Sequence, residues 1–114
     1  MEKNAVLDTL SALAHCIRLD VFRLLVQAGP KGVAAGDIAL RLDIRPNTLS
    51  NNLTILTSAG LITSVREGRS IRYFVRMERM RDLLAFLMQD CCGGTPELCR
   101  PFLDQIACTC EKEQ

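Results

Sequence analysis

The stretch from Pro46 to Ala59 constrains this chain more than any other. Leu49, Leu53 and Leu56 recur at i, i+4 and i+7, so a helix here turns one apolar stripe toward a core. Asn47, Thr48, Ser50, Asn51, Asn52, Thr54 and Thr57 are left to fill the remaining surface, which carries no charge. A face meant only for solvation more often holds Lys and Glu. Short amide and hydroxyl side chains can instead hydrogen-bond base edges and phosphates, and the free N–H groups of a helix start attract anions. Pro46 suits the first helical position, and Gly60 suits a left-handed cap just past the end.

The preceding residues supply a partner for that helix. Ala35 to Leu42 reads as a short helix with Ile38, Ala39 and Leu42 turned inward, and Asp43-Ile44-Arg45 links it to Pro46. Two short helices joined by about three residues make a helix-turn-helix. Upstream, Asn4 to Ala14 is predicted as a first helix with Ala5, Leu7, Leu10, Leu13 and Ala14 on its apolar side. Cys16 to Ala28 is predicted as a second helix whose apolar residues leave little polar surface, the buried centre of the domain, ended by the turn Gly29-Pro30-Lys31-Gly32. Downstream, Leu61 to Arg66 and Ile71 to Val75 flank the polar turn Glu67-Gly68-Arg69-Ser70, a hairpin with Arg69 and Arg72 at or beside its tip. Directly behind a helix-turn-helix, such a hairpin is a wing that lies along a phosphate backbone. Met77 to Cys91 is the most periodic stretch, with Met80, Leu83, Leu84, Leu87, Met88 and Cys91 on one stripe. The expected fold is mainly α with a small β-hairpin, a winged helix-turn-helix.

Charge locates the surface that meets nucleic acid. The formal net charge is only +1, but it is unevenly spread. Residues 1 to 40 are balanced, residues 41 to 76 carry +4 and residues 77 to 114 carry −3. All the basic residues of the middle third are arginines: Arg41, Arg45, Arg66, Arg69, Arg72 and Arg76. Phosphate contacts come from such local patches, so a near-neutral chain can bind DNA in a salt-dependent way. The DNA-contacting residues expected from position are Arg45, Asn47, Thr48, Ser50, Asn51, Arg69 and Arg72.

Leu49-Ser50-Asn51-Asn52-Leu53, Leu56, Ala59-Gly60-Leu61-Ile62, Arg66-Glu67-Gly68-Arg69 and Tyr73 together resemble the signature of the ArsR/SmtB family of winged-helix repressors. His15, Arg18 and Leu19 resemble the family's stretch at the start of its second helix, and the likeness covers about residues 5 to 90. The resemblance implies a homodimer, paired through its first and last helices, that binds double-stranded operator DNA with an inverted repeat and lets go when a metal or metalloid binds. In such a dimer the two reading helices lie roughly 34 Å apart, one turn of B-DNA. Three positions depart from the pattern. Asn52 stands where His is usual, Arg45 where Ser or a similar N-cap is common, and Cys16 where Pro is common. The first two are expected to shift operator preference or cap strength.

The chain also ends in chemistry. Cys91-Cys92-Gly93-Gly94-Thr95-Pro96-Glu97-Leu98-Cys99 places three cysteines in nine residues. Adjacent cysteines have Cα atoms about 3.8 Å apart, below the usual disulfide range of about 4.4 to 6.8 Å, so two neighbouring thiols stay available. A Gly-Gly reversal can bring the third back. Three thiolates suit a soft centre: As(III) or Sb(III), and equally Pb(II), Cd(II) or Cu(I). Zinc would want a fourth ligand, from Cys108, Cys110 or a mate. The resemblance narrows this choice. Gly36 to Leu40 lacks the Cys-x-Cys pair that many arsenic-responsive members carry there, whereas the vicinal pair looks like the subgroup with an arsenite site after its last helix. Carried over, the ligands are Cys91, Cys92 and Cys99, and the inducer is As(III), with Sb(III) or a methylated As(III) as variants.

Residues 1–92 are therefore expected to form the DNA-binding and dimerisation domain, and residues 93–114 a Cys-rich extension that completes the inducer site. Cys16 is expected as a small core residue, and His15 as a capping or packing residue and not a ligand. No apolar run approaches the roughly 20 residues of a membrane span, and the N-terminus lacks a signal-peptide layout, so a cytoplasmic protein is expected. No catalytic constellation is present in the sequence, and no organic cofactor is implied. The rival reading is a thiol redox or sulfide sensor, or a Cd/Pb-responsive repressor, built on the same DNA-binding half.

Overall fold

In the computed structural model, which describes residues 1–89, the elements run α1 (Lys3–Leu13), α2 (Cys16–Ala28), a 3-10 turn (Gly29–Lys31), β1 (Val33–Ala34), α3 (Ala35–Leu42), α4 (Pro46–Ser58), β2 (Ile62–Glu67), β3 (Ser70–Val75) and α5 (Met77–Leu87). Residues Met1–Leu84 form one unit. The boundary expected after residue 92 lies outside the described residues.

The helix-turn-helix is set by how its helices end. After α3, Asp43 adopts the left-handed conformation (φ 52), the Asp43 amide donates to the Leu40 carbonyl and the Ile44 amide to that of Ala39. After α4, Gly60 (φ 79) donates to Thr57 and Leu61 to Leu56 in the same pattern. Both ends are Schellman motifs, whose crossed bonds satisfy the last carbonyls and turn the following apolar residue back to the core. Leu61 is accordingly fully buried, and Ile44 packs against the core.

That core lies between α2, α3, α4 and the base of the sheet. Val21, Phe22 and Leu25 of α2 meet Ile38 of α3, Leu49, Leu53 and Leu56 of α4, and Val33, Leu61 and Ile62. Two expectations need correction. In α1 the buried residues are Val6, Thr9 and Ala12, while Leu7 and Leu10 are 53% and 40% exposed. Thr9 tolerates burial because its hydroxyl donates to the Ala5 carbonyl at 2.8 Å, so the helix can turn that mixed stripe inward. The expected hairpin is also only part of the sheet, which is three-stranded and antiparallel in the order β1-β3-β2. β1 pairs Val33 with Tyr73 and Ala34 with Arg72. The wing itself pairs Ile62 with Val75 through to Glu67 with Ser70. Only Gly68 of its two-residue loop has positive φ, the pattern of a type II′ turn that matches strand twist.

Gly32 and Gly60 both require glycine, for different reasons. A Cβ on Gly32 (φ 65, ψ −175) would meet the Tyr73 carbonyl and the Phe74 ring, whereas one on Gly60 would meet the flexible Arg79 guanidinium. Gly60→Ala should lower unfolding free energy by about 1 to 2 kcal/mol. Gly32→Ala should lose more than about 3 kcal/mol, because the backbone strain is joined by a clash with fixed backbone. Urea unfolding of both variants checks the order, and equal losses would contradict it.

Candidate nucleic-acid interface

α4 buries Leu49, Leu53 and Leu56 at 3% exposure or less. Its opposite face is thereby held outward. Arg45, Asn47, Thr48, Ser50 and Asn51 are all exposed. Among the described residues, the side chains of these five make no intramolecular hydrogen bond; those of Thr54 and Thr57 instead fold back on the carbonyls of Ser50 and Leu53. Arg45 caps α4 with backbone alone, so the first-turn amides keep their hydrogen-bonding capacity. This is a surface of uncommitted donors and acceptors, on a helix whose other side is packed in the core.

Asn52 does not belong to that surface. It is 6% exposed and faces inward, between Leu49 and Leu53. Its Oδ1 accepts from Arg18 Nη1 at 3.1 Å, and its Nδ2 donates to the Thr48 carbonyl at 2.8 Å. Arg18 Nε also donates to the Ala12 carbonyl at 2.6 Å. The expected place of Asn52 on the outward polar face of α4 is therefore corrected. The signal was present, since position 52 lies three residues after Leu49 on the buried stripe.

The wing is exposed along most of its length. In β2 only Ile62 is buried, and Val65 and Ile71 stand in solvent. Arg69 occupies the turn and is exposed, as is Arg66, whose Nε reaches the Gly68 carbonyl at 3.4 Å. Arg72 is placed differently. It lies within β3, where its Nε pairs with Glu67 Oε1 at 3.0 Å and its Nη1 donates to the carbonyls of Lys31 and Gly32. Its guanidinium ties the wing to the loop before β1.

Other expected features divide. His15 caps α2, its Nδ1 accepting the Ile17 amide at 3.2 Å. Cys16 is exposed and not a core residue, because the first position of α2 precedes the turn that enters the core. α5 buries Leu83 but leaves Leu84 and Leu87 46% and 51% exposed. Among the described residues no cluster of three metal-ligating side chains occurs. Cys91, Cys92 and Cys99 lie outside the described residues. No described helix is long and apolar enough to cross a membrane.

A short helix–turn–helix with an outward polar face, followed by a basic antiparallel hairpin, defines a winged helix-turn-helix DNA-binding protein. Comparison with known proteins agrees. A helix-turn-helix domain family matches residues 13–65. The chain is 34% identical over 100 residues to the biofilm growth-associated repressor of Agrobacterium fabrum, covering 86% of this chain and 83% of that one. A homodimeric winged helix-turn-helix DNA-binding domain from Mycobacterium bovis, described as a possible ArsR-family regulator, superposes with a TM-score of 0.62 at 29% identity, over 75% of this chain and 77% of that one. A possible transcriptional regulator for arsenical resistance gives 0.63 at 26% identity, over 85% and 95%. The chain belongs to the ArsR/SmtB family of winged helix-turn-helix transcriptional regulators, which are DNA-binding proteins and not enzymes.

The two wing arginines should separate in experiment. Arg69→Ala should leave the unfolding free energy unchanged and reduce the slope of log affinity against log salt by about 1 per lost phosphate contact. Arg72→Ala should lower stability by about 1 kcal/mol, a modest figure because the pair is partly solvated. Denaturant unfolding and DNA titrations at several salt concentrations test both.

Proposed function

We propose that the protein is an arsenite-responsive repressor that binds operator DNA as a homodimer and leaves it when trivalent arsenic binds Cys91, Cys92 and Cys99. The observation that carries the DNA half is the exposed, uncommitted face of α4. Asn47, Thr48, Ser50 and Asn51 read bases and phosphates in the major groove, Arg45 and Arg69 contact phosphate, and Arg72 acts by holding the wing in place. Dimerisation is supported by the apolar residues that α1 and α5 leave exposed, Leu7, Leu10, Leu84 and Leu87, and by the homodimeric state of the Mycobacterium bovis domain. A two-fold axis matches an inverted repeat.

The inducer half is supported by the cysteine triad that follows α5 in the sequence, and by the likeness to a regulator described for arsenical resistance. Three thiols condense with As(OH)3. Each S–H proton leaves with one hydroxyl as water, three As–S bonds replace three As–O bonds, and no oxidation state changes. Sb(III) can bind in the same way, and a methylated As(III) with two thiolates. Gathering the thiols favours a dimer arrangement in which the α4 helices no longer match successive grooves. By linkage, DNA and arsenite weaken each other by the same factor, with a coupling on the order of 1 to 3 kcal/mol.

One observation favours a second reading: the exposed Cys16 thiol is available to pair with a tail cysteine on oxidation. Fluorescence anisotropy of the reduced protein on the DNA upstream of its own coding region separates the two. Arsenite should release the DNA at about one equivalent per subunit, and Cys91→Ser, Cys92→Ser or Cys99→Ser should each abolish release without weakening DNA binding. Release by peroxide alone, lost in Cys16→Ser, would instead establish the redox sensor. The dimer is checked by sedimentation, in which Leu10→Glu should give monomers that bind DNA at least about tenfold more weakly.

A further inference from the structure

Thr9 and Asn52 are the two buried polar residues of the described structure, and they are satisfied in different ways. Thr9 bonds within its own turn. Asn52 is instead one link in a path that crosses three helices. The Ala12 carbonyl at the end of α1 accepts from Arg18 Nε, Arg18 Nη1 donates to Asn52 Oδ1, and Asn52 Nδ2 donates to the Thr48 carbonyl in the first turn of α4. Among the described residues, no other side-chain hydrogen bond reaches α4 from another element.

The setting explains why a hydrogen bond matters here. α1 and α4 flank a notch of ≈ 220 Å³ where polar Asp8, Ser11, Arg18 and Ser58 stand beside Ala12, Ile55 and Ala59, so apolar packing closes this side of α4 only in part. On the core side, Leu49, Leu53 and Leu56 fix how deep the helix sits, but apolar packing is non-directional and tolerates small rotations. A guanidinium held by both Ala12 and Asn52 does not, and the Asn52 amide it meets is itself fixed on α4 by the Thr48 carbonyl. Thr48, where the path ends, stands between Asn47 and Leu49, one turn before Asn51.

We propose that Arg18 and Asn52 are positioning residues for DNA reading: by tying the first turn of α4 to the end of α1, they set the rotation at which the exposed face of α4 meets base edges. The proposal rests on the reading of α4 as the DNA-reading helix. It assigns these residues to discrimination between sequences. Phosphate contacts from Arg45 and the wing, which tolerate small rotations, do not depend on them.

The test uses the full-length reduced protein. A duplex selected by the wild type from random sequence is compared with a scrambled duplex of equal length, by anisotropy well below the melting temperature. Asn52→Ala and Arg18→Gln should each lower the ratio of selected to scrambled affinity by on the order of tenfold, with scrambled affinity held within about twofold. The double variant should be no worse than the worse single, since both cut one path. Asn52→His, whose ring can accept at one nitrogen and donate at the other, should restore most of the ratio. Arg18→Lys keeps the charge but loses the planar fork; it should fall between, and it carries the test if Asn52→Ala does not fold. An unchanged ratio in a folded Asn52→Ala or Arg18→Lys protein, whatever its melting temperature, overturns the proposal. Failure of the wild type to select any sequence overturns the reading of α4 instead.

Discussion

Burial of one leucine stripe governs what this domain can do. Leu49, Leu53 and Leu56 take α4 into the core, each contributing about 1.5 to 3 kcal/mol of transfer free energy. A helix of 13 residues can bury only one side. Fixing those leucines therefore fixes which side of the helix, the one that carries Asn47, Thr48, Ser50 and Asn51, looks outward. The Schellman ends at Asp43 and Gly60 limit where the helices of the helix-turn-helix begin and stop, so the polar face is located along the chain as well as around the helix axis. Function is thus a by-product of core packing. It follows from which residues occupy the positions that the core does not want.

The wing obeys a different logic. A two-stranded ribbon with most of its side chains in solvent gains little from burial, and an isolated hairpin is marginal in water. Three local devices compensate. Ile62 and Val75 pair at its base, β1 adds a short third strand to β3, and Arg72 binds both Glu67 across the ribbon and the carbonyls of Lys31 and Gly32. The last of these makes one arginine of a basic patch structural. Counting arginines locates the patch; hydrogen-bond partners decide which of them remain available to phosphate.

Much of the fold was legible because its signals are local. Pro46 and Gly60 bracket α4, the three-residue link before it is short, and Gly68 sits in a turn between β-rich runs. The misses are non-local. β1 is two residues long and exists only because Tyr73 and Arg72 pair with it some 40 residues later in the chain. The spacing of Asn52 from Leu49 allowed it on the buried stripe, but the partner that satisfies its amide there, Arg18, is 34 residues away. In α1, Leu7 and Leu10 carry more apolar surface than Thr9 and Ala12, yet the smaller residues face the monomer's core. Leucines left in solvent by a monomer are what an unfilled interface would show. The cysteines proposed to bind the inducer, Cys91, Cys92 and Cys99, are read from the sequence alone and lie outside the described residues.

The central claim is that the outward face of α4 reads DNA, and side-chain amide NMR observes it directly. The side-chain amides of Asn47 and Asn51 should shift strongly when a selected half-site duplex is added, together with the backbone amides at the start of α4 and around Arg69. The Asn52 side-chain amide, buried against Arg18, should change little in the same titration. Large shifts on α1 with Asn47 and Asn51 unmoved would contradict the account, because the DNA would then lie against a face that the packing of α4 does not create.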